Sequence, residues 1–286
     1  MSDYELLVVA RWPLGGIRTY MRYVYRHLPA SFRITLVVPS TQEDEALRRD
    51  AAEIGTRIVF CAESALTWTV FRELRRGRFS AIQSHGFISA LHGTFANLLF
   101  RVPHILTVHG VLEERLVAGI RGRSRLLLTA MVIRYVDVLY AVSNDILEHL
   151  YQQVRGLKSS GNRKVVILNG IDVTHFSPAL PAVGGIREEL CCDTNTVLLG
   201  FLGRFMPQKG FSLLIEAVAA LVADGMSNLK VLAVGSGDYR EYYQKLVRQH
   251  NVEKYFHCLP FRADVAEIYR ELDAVVMPSL WEACPL

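Results

Sequence analysis

The 286 residues are 51% hydrophobic and carry a formal net charge of +4, which is enough apolar material for a sizeable core and, by length, for two domains of ordinary size. No apolar run approaches the roughly 18 residues of a membrane-spanning helix; the best, residues 126–133, is closed by Arg125 and Arg134. Met1-Ser-Asp-Tyr-Glu lacks the basic and apolar regions of a signal peptide, and Cys61, Cys191, Cys192, Cys258 and Cys284 lack paired C-x-x-C spacing, so a cytoplasmic chain with reduced thiols is expected, without a zinc or redox site.

In chain order, strands are predicted at residues 5–10, 34–39, 57–61, 81–84, 104–108, 138–142 and 165–168. They are continuous β-branched or aliphatic runs separated by helical patterns, the signature of a parallel sheet with both faces covered. After the first strand, Ile17, Tyr20, Met21, Val24, Tyr25 and Leu28 fall at helical spacing, with Arg18, Arg22 and Arg26 on a neighbouring face. Residues 176–187 are rich in proline and glycine and without periodicity, as an interdomain linker would be.

A second series follows, with strands at 197–202, 230–234, 255–259 and 274–277 and helices at 211–223, 239–249 and 265–272. The expected architecture is therefore α/β, with two lobes of parallel sheet, 1–178 and 179–286. The first lobe holds 22 Lys and Arg against 15 Asp and Glu, and the second 10 against 13. A basic lobe suits a nucleic acid, an anionic membrane surface or an acidic substrate. The charge is not accompanied by aromatic interleaving or a helix-turn-helix pattern, so no nucleic-acid partner is expected.

Four strand-end loops carry the chemistry. Leu14-Gly15-Gly16 is a strand-to-helix turn where the backbone can approach a ligand and a helix N-terminus favours an anion; a plain tight turn has the same look. In Gly203-Arg204-Phe205-Met206-Pro207-Gln208-Lys209-Gly210, two cations flank one loop before a helix, so that both could converge on a phosphate or simply be solvated. Gly235-Ser236-Gly237 is a further such turn, matching neither G-x-G-x-x-G nor Walker A, and Glu282 places a carboxylate beyond the last strand. His85 and His109 end strands at matching positions in the first lobe. Lacking metal-ligand spacing, they are taken as polar contacts to a substrate.

Asn169-Gly170-Ile171-Asp172 with Phe176-Ser177-Pro178, then Gly203-Arg204 through Lys209-Gly210, then Pro278-Ser279-Leu280-Trp281-Glu282 occur in an order and spacing that resembles the retaining GT-B glycosyltransferases of the group 1, family 4 type. That family includes bacterial hexosyltransferases of lipid, lipopolysaccharide and polysaccharide assembly. The resemblance implies a GT-B fold of two Rossmann-like β/α/β lobes with an interlobe cleft, the second lobe incomplete, and a UDP- or GDP-sugar donor in the second lobe. It also implies a saccharide or lipid-linked acceptor at the first, and transfer with retention without a required metal or other cofactor.

Carried over, Arg204 and Lys209 would hold the donor diphosphate and stabilise its growing charge, with Gly15 and Gly16 against the same group. Gly235 and Gly237 would line the donor site, Glu282 would lie near the sugar hydroxyls as the first glutamate of E-x7-E, and His109 would face the transferred sugar, with His85 on the acceptor side. The second glutamate would fall at position 290, beyond the last residue, so the resemblance implies a chain cut inside its donor-binding domain. A sugar-nucleotide epimerase and a non-catalytic nucleotide-sugar-binding protein are the alternatives. The basic first lobe, with Arg115, Arg121, Arg123, Arg125 and Arg134 around residues 126–133, could rest peripherally on an anionic membrane, or that helix could be solvated and packed on the sheet.

Overall fold

A computed structural model describes residues 4–41, 44–112, 119–182, 185–262 and 264–285. The chain divides into two compact units, Met1–Ile171 with Ala283–Leu286, and Asp172–Glu282.

In the first unit the strands are β1 Tyr4–Ala10, β2 Phe32–Pro39, β3 Arg57–Cys61, β4 Ala81–His85, β5 His104–Val108, β6 Val138–Ala141 and β7 Arg163–Val166. All are parallel, in the order β3-β2-β1-β4-β5-β6-β7. Successive residues of a strand point to opposite faces, and in β1 both destinations are apolar. Val8 and Ala10 join a core with Leu106, Val108 and Leu139, while Leu7 and Val9 join another with Val37, Val70 and Ile82. That is why these strands read as unbroken apolar runs. The helices α1 Gly16–Arg26, α2 Asp44–Ile54, α3 Leu66–Arg76, α4 Phe87–Asn97, α5 Gly119–Tyr135 and α6 Asn144–Gln153 cover the two faces. Helix α1 buries Tyr20, Met21 and Tyr25. Its arginine face meets α2: Arg18 Nε lies 2.5 Å and Arg22 Nε 3.5 Å from Asp50, and Arg26 pairs with Glu53 at 2.9 Å.

In the second unit the strands are β8 Val197–Leu202, β9 Leu229–Val234, β10 Phe256–Leu259 and β11 Ala274–Val275, all parallel, in the order β10-β9-β8-β11. Phe201, Val231 and Ala233 face one core and Leu198, Leu232 and Val234 the other. The helices are α7 Ile186–Glu189, α8 Phe211–Ala223, α9 Arg240–Gln249 and α10 Val265–Glu271.

The compact units meet at 171/172, where 178/179 was expected. Residues 172–178 go with the second unit because Arg270 Nε donates to the Ser177 carbonyl at 3.3 Å, its terminal nitrogen reaches the His175 carbonyl, and the Phe176 ring packs at 6.1 Å from Tyr269. The expected linker also ends earlier than its composition suggests. Ile186 is buried and opens α7, and the Arg187 guanidinium bonds the Glu271 and Thr196 carbonyls and pairs with Asp273 at 3.0 Å. Strand β7 begins and ends two residues before the predicted 165–168, leaving Ile167 and Leu168 exposed beyond it.

Among the described residues no helix is long and apolar enough to cross a membrane. In α5, Thr129, Val132 and Ile133 are buried, while Ile120, Leu127, Leu128 and Tyr135 are exposed beside Arg123, Arg125 and Arg134. Arg115 lies outside the described residues, as does the side chain of Arg121.

Candidate functional site

In both sheets the first strand of the series sits between the second and the fourth: β1 between β2 and β4, and β8 between β9 and β11. Connections leave to opposite sides at that point, opening a crevice at the carboxyl ends of the two strands, where open α/β sheets bind ligands. Gly15, Gly16 and His85 lie at the first of these switch points, and Arg204, Lys209 and Glu282 at the second, each set within its own unit.

In the second unit the loop after β8 carries Arg204 and Lys209, and the segment after β11 carries Glu282. Lys209 Nζ lies 2.6 Å from Glu282 Oε1, with side-chain exposures of 23% and 19%, so the pair is partly withdrawn from water. Backbone contacts hold the two segments together: the Leu280 N–H donates to the Gln208 carbonyl at 2.8 Å, and Gln208 Nε2 to the Trp281 carbonyl at 3.1 Å. Phe205 is buried against Phe201, Phe211 and Tyr243, which turns the preceding Arg204 outward, where it is exposed and has no ion-pair partner among the described residues.

The loop after β9 closes on the same place. A Cβ on Gly235 would sit 1.9 Å from the Gly203 carbonyl oxygen, and one on Gly237 2.5 Å from that of Phe205. The expected glycines therefore let two strand-end loops pack backbone against backbone. Gly210 caps α8 in the left-handed region without a side-chain hydrogen bond, so the first-turn N–H groups add a partial positive charge beside the two cations.

In the first unit Gly15 caps α1 at φ 56°, ψ −132°, again without a side-chain bond to the first turn, and open space surrounds both Gly15 and Gly16. A glycine here satisfies a backbone that other residues resist, and it leaves the helix N-terminus open to an anion. His85 ends β4 and His109 follows β5. His85 Nδ1 is 2.7 Å from His109 Nε2, while His85 Nε2 is 2.7 Å from the Tyr25 hydroxyl. With 2% exposure and both ring nitrogens engaged, His85 stands behind the half-buried His109.

Burial, reinforced by His109, holds the His85 pKa well below the usual 6.5, and burial brings that of His109 down to about 4. Both rings are therefore neutral near pH 7. Tyr25 Oη donates to Gln83 Oε1 at 3.0 Å and Gln83 Nε2 to Thr107 Oγ1 at 2.9 Å. The Tyr20 ring stands edge-on to both imidazoles, at 5.3 and 4.9 Å. In the sequence Tyr20 and Tyr25 were legible only as apolar-face positions of a helix, and Gln83 and Thr107 were not singled out. A signal was present: Gln83 precedes His85 by two residues and Thr107 precedes His109 by two, so on each of two adjacent strands a polar residue shares a face with the histidine. Among the described residues no group of three or more His, Cys, Asp or Glu side chains is placed to hold a metal ion.

Two family models match the chain: the glycosyl transferase 4-like domain over residues 15–170 and the glycosyl transferases group 1 domain over residues 186–286. The UDP-Gal:alpha-D-GlcNAc-diphosphoundecaprenol alpha-1,3-galactosyltransferase of Escherichia coli is 25% identical over 230 residues, 76% of this chain and 56% of that protein. The D-inositol 3-phosphate glycosyltransferase of Corynebacterium efficiens is 28% identical over 246 residues, 81% of this chain and 56% of that protein. The chain thus spans little more than half the length of these curated relatives. Among solved structures, Anabaena HepE in complex with UDP-glucose superposes with a TM-score of 0.77 at 18% identity, covering 98% of this chain and 75% of that one. The sucrose-phosphate synthase of Thermosynechococcus elongatus gives 0.74 at 16%, covering 99% and 77%. These likenesses establish the GT-B type of fold, two Rossmann-like lobes of parallel sheet.

Proposed function

This chain belongs to the glycosyltransferase family defined by those two domains, and from that premise we propose that it transfers a hexosyl group from a nucleoside-diphosphate sugar to a saccharide or lipid-linked acceptor, with retention of configuration. The observation that carries the reading is the switch point of the second sheet. There Arg204, Lys209 and an uncapped helix N-terminus gather positive charge, and Glu282 supplies an adjacent acceptor for hydroxyls. A sugar nucleotide makes both demands at once, an anionic diphosphate next to a polyhydroxylated ring.

In this mechanism Lys209 exchanges Glu282 for a diphosphate oxygen, and Arg204 swings its guanidinium onto the same group. As the bond from the anomeric carbon to the diphosphate oxygen breaks, the growing negative charge is met by groups already in place, which is electrostatic catalysis. Glu282, relieved of Lys209, accepts from sugar hydroxyls. The acceptor hydroxyl attacks from the face the diphosphate leaves, its proton passing to the departing phosphate oxygen, so that configuration is kept. In the first unit, His109 offers a neutral polar contact to a sugar hydroxyl. No metal or other cofactor is assigned a role in this scheme.

UDP is the favoured nucleotide, because the E. coli relative is named for UDP-Gal and the HepE structure holds UDP-glucose. That relative's named diphosphoundecaprenol acceptor also favours a lipid-linked acceptor, and with it a cytoplasmic chain resting peripherally on an anionic membrane through the exposed apolar and arginine side chains of α5. The deciding experiment measures nucleotide release from UDP-, GDP- and ADP-sugars with and without saccharide and lipid-linked acceptors, and reads the anomeric configuration of the product by NMR. Acceptor-dependent release with retained configuration is expected. Ligand-induced thermal stabilisation without release would instead mark a sugar-nucleotide-binding protein, and interconversion of donor sugars an epimerase.

A further inference from the structure

The polar chain behind His109 has a direction, and hydrogen counting sets it. Tyr25, Gln83, His85 and Thr107 are all buried, so each polar atom must find its partner within the protein. Gln83 Nε2 donates to Thr107 Oγ1 at 2.9 Å. The Gln83 carbonyl oxygen, left facing Tyr25 Oη at 3.0 Å, can only accept, and so takes the one hydrogen Tyr25 has. Tyr25 Oη then has no hydrogen for His85 Nε2, 2.7 Å away, and must accept from it. A neutral imidazole has one N–H, so with Nε2 protonated, His85 Nδ1 is an acceptor, and the group 2.7 Å from it, His109 Nε2, is the donor. The other nitrogen of His109, Nδ1, keeps its lone pair.

We infer that Tyr25, Gln83 and Thr107 are positioning residues that act through His85 to hold His109 as its Nε2–H tautomer, so that it presents an accepting Nδ1 to a hydroxyl of a bound sugar. The sugar as ligand rests on the glycosyl-transfer reading above; the tautomer does not. Reversing the chain would turn His109 into a donor and change what it can recognise. The tautomer is therefore a property that the residues behind His85 impose on the His109 ring.

The test uses the 286-residue chain labelled with 15N at histidine. Long-range proton–nitrogen correlation spectra report which ring nitrogen is protonated, and a His109→Gln chain identifies the His109 signals. In the wild type, Nε2–H is expected. In Gln83→Leu the Tyr25 hydrogen is free to turn toward His85, and the Nδ1–H form of His109 is expected to rise to a population comparable with Nε2–H. Tyr25→Phe, which cuts the chain one step later, should give the same mixture and serves if the Gln83 variant does not fold. An Nδ1–H form of His109 in the wild type would overturn the inference, as would an unchanged Nε2–H form in both variants. Absence of nucleotide release from every donor, with the Nε2–H signature intact, would remove transfer as the function and leave the positioning role standing.

Discussion

Lys209 and Glu282 are 73 residues apart in the chain and 2.6 Å apart in space. The short strand β11 lies directly beside β8, so the segments leaving the two strands emerge side by side at the switch point. The ammonium and the carboxylate satisfy each other, and in the proposed transfer each would turn to a different part of the sugar nucleotide.

Arg204→Ala and Lys209→Ala are each expected to lower sugar transfer on the order of a hundredfold or more, the usual cost of removing one preorganised donor from a developing negative charge. The fold should survive, since Arg204 is exposed and a partly exposed ion pair contributes about 1 kcal/mol or less. Rates of nucleotide release, with thermal denaturation as the control, check this; rates within a few-fold of wild type for both variants would remove these residues from the mechanism.

Gly235→Ala should destabilise the second unit by about 1–3 kcal/mol, because its Cβ would meet the Gly203 carbonyl at 1.9 Å, a backbone atom that cannot rotate away. Gly16→Ala faces open space and should change stability by about 0.5 kcal/mol or less. Urea titration of the two variants separates close backbone packing from conformational freedom: equal losses would contradict the packing account.

The first unit should lose stability on mild acidification. Burial lowers the pKa of His104 and of His109 to about 4 and pushes His85 down as well, against 6.5 in the unfolded chain. Depressed histidine values favour the folded state fully above pH 6.5. Between pH 6.5 and 4 the unfolded chain binds more protons, and the contribution is lost as pH falls, by at most about 1.4 kcal/mol per pH unit for each histidine. Urea midpoints at pH 7.5, 6 and 5 should fall in that order, and less steeply when His104 is replaced by Gln; a flat profile would show the buried rings to be otherwise compensated.

Vesicles containing anionic lipid should co-sediment with the chain at low salt, neutral vesicles much less, and added salt should release it within the screening expected for exposed charges. The exposed Leu127, Leu128 and Tyr135 beside Arg123 and Arg134 on α5 motivate this. Leu127→Glu with Leu128→Glu should abolish sedimentation, and equal binding to both vesicle types would leave α5 as a solvated helix.

The alternation of apolar runs and amphipathic segments determined that this chain forms parallel sheets covered on both faces, because strands such as β1 have no polar side to show water. The glycines and cations at the strand ends were legible for a similar reason. Gly15 satisfies a backbone angle and Gly235 a close approach that other residues resist, and both leave their mark in residue type. The strand order was not legible. Whether the fourth strand of each series lies beside the first depends on which crossovers bury the most surface. That choice seats Glu282 on Lys209 and brings the end of β4, with His85, beside the end of β1. The roles of His85 and His109 diverged for the same reason: they occupy matching positions in sequence, but Tyr25 reaches across from α1 to take the inner nitrogen of His85 and leaves His109 outermost. The direction of a hydrogen-bond chain depends on which buried groups must share a limited number of hydrogens, and only the packed structure decides which groups those are.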